Sequence, residues 1–125
     1  MASRKPEELI DTVQTLYRRF SVCMQEAGID YILTCTRRTQ AEQDALYEQG
    51  RSRPGRIITW TRSSKHIDGK AFDIVIMENG KPDWDVSNTK WMKAGEIGRT
   101  CGLIWGGAWA RSKDYCHFEL AEGKQ

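Results

Sequence analysis

Nothing in this chain approaches the roughly 20 consecutive apolar residues that a bilayer-crossing helix needs. The longest apolar run, Phe72 to Met77, is already interrupted by Asp73, so no stable membrane insertion is expected. The apolar N-terminal stretch of a secretory signal is also missing, because Met1-Ala2-Ser3-Arg4-Lys5-Pro6 leads directly into a charged amphipathic segment. The chain therefore reads as one made in the cytoplasm without a signal peptide. No charge sign dominates: 19 Lys and Arg stand against 17 Asp and Glu, for a net charge of +2. Nucleic-acid binding, which calls for a basic stripe, is not expected, although the small surplus suits anionic envelope polymers. The four cysteines form no Cys-x-x-Cys pair, and with a cytoplasmic start they read as buried thiols, not as a disulfide framework or zinc ligands. Repeats, linkers and low-complexity tracts are absent too. The 125 residues suffice for one domain and leave no room for a second module. With 39% hydrophobic residues and five tryptophans, that domain can bury a core without staples.

Histidine is scarce, with only two in the chain, and each stands among carboxylates. His66 lies in Ser64-Lys65-His66-Ile67-Asp68-Gly69-Lys70-Ala71-Phe72-Asp73, and His117 in Asp114-Tyr115-Cys116-His117-Phe118-Glu119. Two neutral imidazoles and one carboxylate supply three of the four tetrahedral positions of zinc and leave the fourth open for water. An open site of this kind lowers the pKa of its water to about 7, which is hydrolase chemistry, whereas a closed structural site uses four ligands, usually thiolates. The remaining need is a carboxylate that takes the water proton and passes it to the leaving amine. Asp114, three residues before His117, is the candidate. By residue type alone, His66 and His117 fit as readily as hydrogen-bonded or solvated groups, and Asp114 as a surface turn residue beside Lys113. Asp73 is different: between Phe72 and Ile74 an unpaired charge would be costly, so a cation partner is expected.

The pattern Ser-x-His-x-x-Gly-x-Ala-x-Asp followed by Asp-x-x-His resembles the zinc peptidases that group D-Ala-D-Ala carboxypeptidases and dipeptidases with phage L-alanyl-D-glutamate endolysins. The likeness continues in Arg38-Thr39-Gln40-Ala41-Glu42-Gln43 and Leu46-Tyr47-Glu48-Gln49-Gly50-Arg51, which look like the Arg-Ser/Thr-x-x-x-Gln and Leu-Tyr-x-x-Gly-Arg segment of the endolysin branch. Gly102-Leu103-Ile104-Trp105-Gly106-Gly107 and Trp109 extend it towards the C-terminus, so it covers most of the chain. The resemblance implies that His66, Asp73 and His117 hold one zinc ion per chain. It also implies that Asp114 is general base and then acid, and that Arg38 steadies the oxyanion of the scissile carbonyl, a task suited to a permanently charged planar donor. Ser64 is expected to hydrogen-bond substrate or orient its loop, since no histidine is left free to activate it as a nucleophile. Gln43, Tyr47 and Trp105 are expected to contact substrate, the last along a rim with Gly106, Gly107 and Trp109. At their spacing Gln43 and Tyr47 would equally serve as packing residues, and the tryptophans as core. Glu119 competes with Asp114 as base, but a role holding His117 in place is preferred.

Apolar residues at three- and four-residue steps predict a helix over Pro6 to Ala27, stopped by Gly28. A short strand is expected at Tyr31 to Thr36, then a helix capped by Thr39 and running to about Glu48. Gly50 to Gly69 reads as a long functional loop carrying Ser64 and His66. Ala71 to Met77 reads as a strand, Asn79-Gly80 as a tight turn, and Lys81 to Asp85 as its return or a connecting loop. A helix is expected from Thr89 to Cys101 behind a Ser87 or Asn88 cap, then strands at Leu103 to Trp105 and Tyr115 to Leu120. Residues three apart face oppositely on a strand, so Asp114 must precede the strand or sit at a bulge, and Cys116 should face away from the metal if that segment is extended. The fold class is therefore α+β, helices packed on a small antiparallel sheet with the zinc site at the sheet edge and loops.

The function these features imply is a zinc metallopeptidase hydrolysing the L-alanyl-D-glutamate bond of peptidoglycan stem peptides, as a phage or prophage endolysin. It is expected to be a monomeric single domain without a wall-binding module, acting in the periplasm or cell wall after release through a holin-type or other route. The alternatives are a D-Ala-D-Ala carboxypeptidase or dipeptidase, for which no unique carboxylate-gripping residue stands out, and a noncatalytic zinc-bearing cell-wall-binding domain. Asp83 and Asp85 are too few to predict calcium.

Overall fold

The computed structural model of the chain describes residues 3–57, 64–111 and 113–121. After a 3-10 turn at Pro6–Glu8, α1 (Asp11–Glu26) buries Val13, Phe20 and Met24 along one stripe. The single helix expected from Pro6 is thus broken. Leu9 turns into the core with 3% exposure, and the Ile10 N–H donates to Gly69 O at 3.1 Å. That bend ties the N-terminal segment to the loop carrying His66. α2 (Gln40–Glu48) begins with a reciprocal cap, in which the Thr39 hydroxyl accepts from the Glu42 N–H and the Glu42 carboxylate from the Thr39 N–H. α3 (Thr89–Thr100) starts at Asn88, whose side chain accepts from the Lys90 N–H. Asp83 and Asp85 spend carboxylate oxygens on the turn before α3, accepting from Asp85 N, Ser87 N and Oγ, and Asn88 Nδ2.

The sheet is antiparallel and five-stranded: β1 (Tyr31–Cys35), β2 (Ala71–Glu78), β3 (Lys81–Asp83), β4 (Leu103–Trp105) and β5 (His117–Leu120). The order runs β1-β2-β5-β4, and β3 returns along the end of β2 through the Asn79-Gly80 turn. Both turn residues have positive φ, 53° and 77°, as a tight hairpin requires. β5 begins at His117 instead of Tyr115, so Tyr115 and Cys116 belong to the preceding turn.

The core lies between the sheet and the helices α1 and α3, around Phe20, Phe72 and Phe118, with the rings of Phe72 and Phe118 stacked at 5.4 Å. Among the described residues no helix is long and apolar enough to cross a membrane. Alternation along β2 follows from the pleat: Phe72 and Ile74 point into the core, and Asp73 between them points to the other face.

Candidate metal centre

One rung of the sheet builds the centre. In register, Asp73 on β2 lies opposite Cys35 on β1 and opposite His117 on β5. Residues directly opposite on antiparallel strands share a face, so these three stand side by side on the face away from Phe72. Parity on β1 would have put Thr34 there. A register shift between Leu33 and Cys35 inserts one residue and brings Cys35 opposite Asp73 instead.

His66 arrives from the loop before β2. Its loop is shaped by Ser64, whose hydroxyl accepts from the His66 N–H at 3.2 Å and whose carbonyl accepts from the Ile67 N–H. The buried His66 ring presents Nε2 to Asp73 Oδ1 at 3.1 Å and turns Nδ1 towards the Thr36 carbonyl at 3.2 Å. His117 mirrors it with the nitrogens exchanged: Nδ1 lies 3.1 Å from the same Asp73 Oδ1, and Nε2 lies 2.8 Å from Glu119 Oε1. Each imidazole therefore has an acceptor fixed on its far nitrogen. Both nitrogens of each ring thus face acceptors, which favours the protonated imidazole, and a far nitrogen anchored in this way is typical of metal-binding histidine. The donor set of two imidazole nitrogens and one carboxylate oxygen fits zinc. Among the described residues, the group whose candidate ligand atoms all lie within 4.8 Å of one another is Cys35, His66 and Asp73.

Electrostatics points the same way. Burial opposes charge on both rings, but Asp73, aided by Cys35 at one ring and Glu119 at the other, raises His66 to about 10 and His117 to about 9. Burial likewise opposes ionisation of Asp73, and the two imidazoles still hold its carboxyl far below the usual range. A carboxylate oxygen shared between two rings demands positive charge, supplied by protons or by a cation.

Arg38 reaches this centre. Its Nη2 is 4.0 Å from Asp73 Oδ2 and donates to Cys35 Sγ at 3.5 Å, and its Nη1 donates to Gln43 Oε1 at 2.6 Å. Gln43 is fully buried and grips Arg38 from α2. Asp114 sits in the turn before β5, where its N–H donates to Gly106 O at 3.0 Å and its carbonyl accepts from the His117 N–H at 3.2 Å. The Asp-x-x-His spacing is thus that of a β-turn, which brings the first and fourth residues close. The turn also directs Cys116 away from the strand alternation expected for it, and its thiol donates to Asp114 Oδ1 at 3.1 Å. Burial, then the charges of Asp73 and Asp114, push that thiol well up, so it stays protonated.

Other expected contacts are dispersed. Trp105 is a core residue with 3% exposure, its indole N–H donating to Tyr115 O at 2.8 Å, because β4 turns it inward against α3. Among the described residues, Trp109 is the tryptophan beside the centre, 5.4 Å from the His117 ring. Tyr47 lies near the end of α2 with the Arg51 guanidinium 3.9 Å above its ring. The sequence reading missed Cys35, Thr36 and Lys65. The last binds Glu119 Oε2 at 2.8 Å, and His117 and Lys65 together hold the Glu119 carboxyl below its usual range against the effect of burial.

An inward-facing imidazole pair and carboxylate on an α+β scaffold, with an arginine held against them and a second carboxylate one turn away, define a metal-dependent hydrolase. The profile of the peptidase family described as D-alanyl-D-alanine carboxypeptidase matches residues 59–120, a span that includes both histidines. A relative from Bacillus subtilis (strain 168), the peptidoglycan L-alanyl-D-glutamate endopeptidase CwlK, is 34% identical over 125 residues, 92% of this chain and 75% of that protein. The chain belongs to this peptidase family. Its fold is that of the Serratia marcescens L-Ala D-Glu endopeptidase ChiX, with a TM-score of 0.75 at 20% identity over 97% of this chain and 89% of that one.

Proposed function

We propose that the chain is a zinc endopeptidase that cuts the L-alanyl-D-glutamate bond of peptidoglycan stem peptides. The observation that carries this reading is the convergence of His66 Nε2 and His117 Nδ1 on one oxygen of Asp73, each ring anchored from behind. The names of the two relatives supply the bond. His66, Asp73 and His117 would hold the ion, which when bound would supply Lewis acidity and acidify a water. Asp114, fixed by its turn, takes the proton of the attacking water and returns it to the departing amine of D-glutamate. Arg38, oriented by Gln43, meets the negative charge that develops on the alanyl carbonyl oxygen. Trp109, beside His117, flanks the bound peptide.

In this reading the chain acts as a monomer in phage or prophage lysis, reaching the wall through a holin-type or other route. The description of the matching family favours a second reading, removal of terminal D-Ala. Mass spectrometry of fragments released from purified Gram-negative sacculi, with and without a zinc chelator, separates them. Chelator-sensitive peptides beginning at D-Glu are expected; loss of terminal D-Ala alone would move the enzyme to the carboxypeptidase branch, and intact sacculi would sink both.

A further inference from the structure

Cys35 touches more of this centre than any assigned role explains. It is 4% exposed, stands across from Asp73 in the sheet register, and places its sulfur 3.5 Å from His66 Nδ1 and 3.5 Å from Arg38 Nη2. The register shift in β1 is what delivers it, since regular pairing would leave Thr34 opposite Asp73 and turn Cys35 towards the core. A bulge that re-aims one side chain into a site is a built feature.

We propose that Cys35 is a positioning residue: its sulfur is the shared acceptor that sets the His66 ring and the Arg38 guanidinium relative to each other. The inference rests on the reading of His66 as a zinc ligand and Arg38 as the oxyanion partner. Cys35 Sγ also stands within 4.8 Å of ligand atoms of His66 and Asp73, and its contacts favour positioning over ligation. The sulfur lies at Nδ1, the nitrogen turned to the Thr36 carbonyl, while Nε2 faces Asp73. Thr36 O and Cys35 Sγ together brace the rear of the ring, and the same sulfur reaches sideways to Arg38, whose other nitrogen is fixed by Gln43. Removing the sulfur frees one side of both groups at once. Outer partners of metal-bound histidine commonly change affinity or activity by about 10- to 100-fold.

The test uses the full chain with Cys35→Ala and Cys35→Ser, folding being checked by thermal melts. Zinc affinity is read by chelator competition, kcat and KM on a soluble stem peptide, and the absorption spectrum after cobalt substitution. Cys35→Ala is expected to weaken zinc at least tenfold and lower kcat with KM little changed. Cys35→Ser, which keeps an acceptor, should recover most of both, and the wild-type cobalt spectrum should lack a thiolate charge-transfer band. Zinc affinity and kcat within twofold of wild type in Cys35→Ala would reduce the residue to packing. A strong near-ultraviolet thiolate band lost in Cys35→Ala would make it a ligand and overturn the proposal. If the wild type binds zinc but cleaves no stem peptide, the proposed function fails while the affinity comparison still decides the role of Cys35.

Discussion

Asp114 and Glu119 are the two carboxylates nearest His117 in sequence, and their surroundings assign them different work. Glu119 has both oxygens engaged, Oε1 by His117 Nε2 and Oε2 by Lys65 Nζ, each at 2.8 Å. Accepting a water proton would break the ion pair and the brace on the ligand. Asp114 has its backbone pinned at both ends and one carboxylate oxygen bonded to the Cys116 thiol, a weak donor. Asp114→Ala should therefore keep zinc at one per chain and lower kcat by about 10²- to 10⁴-fold, read by metal analysis beside stem-peptide turnover. Glu119→Gln should do the converse, weakening zinc by about tenfold or more while turnover at saturating zinc falls less. Turnover abolished in Glu119→Gln at unchanged zinc affinity would exchange the two roles.

At the level of elements, the close approach of β4 and β5 to α3 is set by two glycines of that helix. A Cβ on Gly98 would lie 2.5 Å from the Phe118 ring, and one on Gly95 2.3 Å from the Trp105 ring. Glycine to alanine within a helix ordinarily stabilises by up to about 1 kcal/mol. Here Gly98→Ala should instead destabilise by about 1–3 kcal/mol through overpacking. It should also weaken zinc, since Phe118 adjoins His117 on β5; thermal melts and chelator competition read the two effects, and a higher melting temperature would refute the argument. This dependence bears on what the sequence alone could tell. Helix and strand spans were legible where one local rule operates, as in the Thr39 cap or the Asn79-Gly80 turn. His66, Asp73, His117, Asp114 and Arg38 could be picked out because their spacing is that of a peptidase family. Cys35 could not, because its side is decided by a register shift that no residue type in Tyr31 to Thr36 announces. Trp105 and Trp109 look alike as a rim, and only the inward turn of β4 separates the core tryptophan from the one beside His117. The break at Leu9 and Ile10 was hidden for a similar reason: helical periodicity continues through it, and contacts distant in sequence, such as the bond to Gly69, hold it.

Taken as a whole, the molecule uses one charged centre to join the turn after β1, the loop before β2, and the strands β2 and β5. What fills that centre should decide how stability varies with pH. Without metal, Asp73 is answered by protons on His66 and His117, whose pKa values are raised to about 10 and about 9 from 6.5. A raised folded pKa contributes stability that is fully present below the unfolded value and is lost as pH rises through the folded one. The Asp73 carboxyl, held low, contributes above its ordinary value of 3.8 and loses that contribution only in strong acid. The metal-free protein should therefore hold its stability near pH 6 and lose part of it between about pH 7 and 10. Zinc behaves oppositely, because it must displace the imidazole protons: binding near pH 7 should release close to two protons, and affinity should climb with pH until about 9 to 10. A ligand present at about 1,000 times its Kd adds about 4 kcal/mol, so the gap in melting temperature between zinc-loaded and chelated protein should widen steadily from pH 6 to pH 9. Paired melts across that range, with proton release read calorimetrically in buffers of different ionisation enthalpy, test both halves. A gap that stays constant or narrows, with no proton release, would mean that the two imidazoles are not exchanging protons for the metal and that Asp73 is not their common partner.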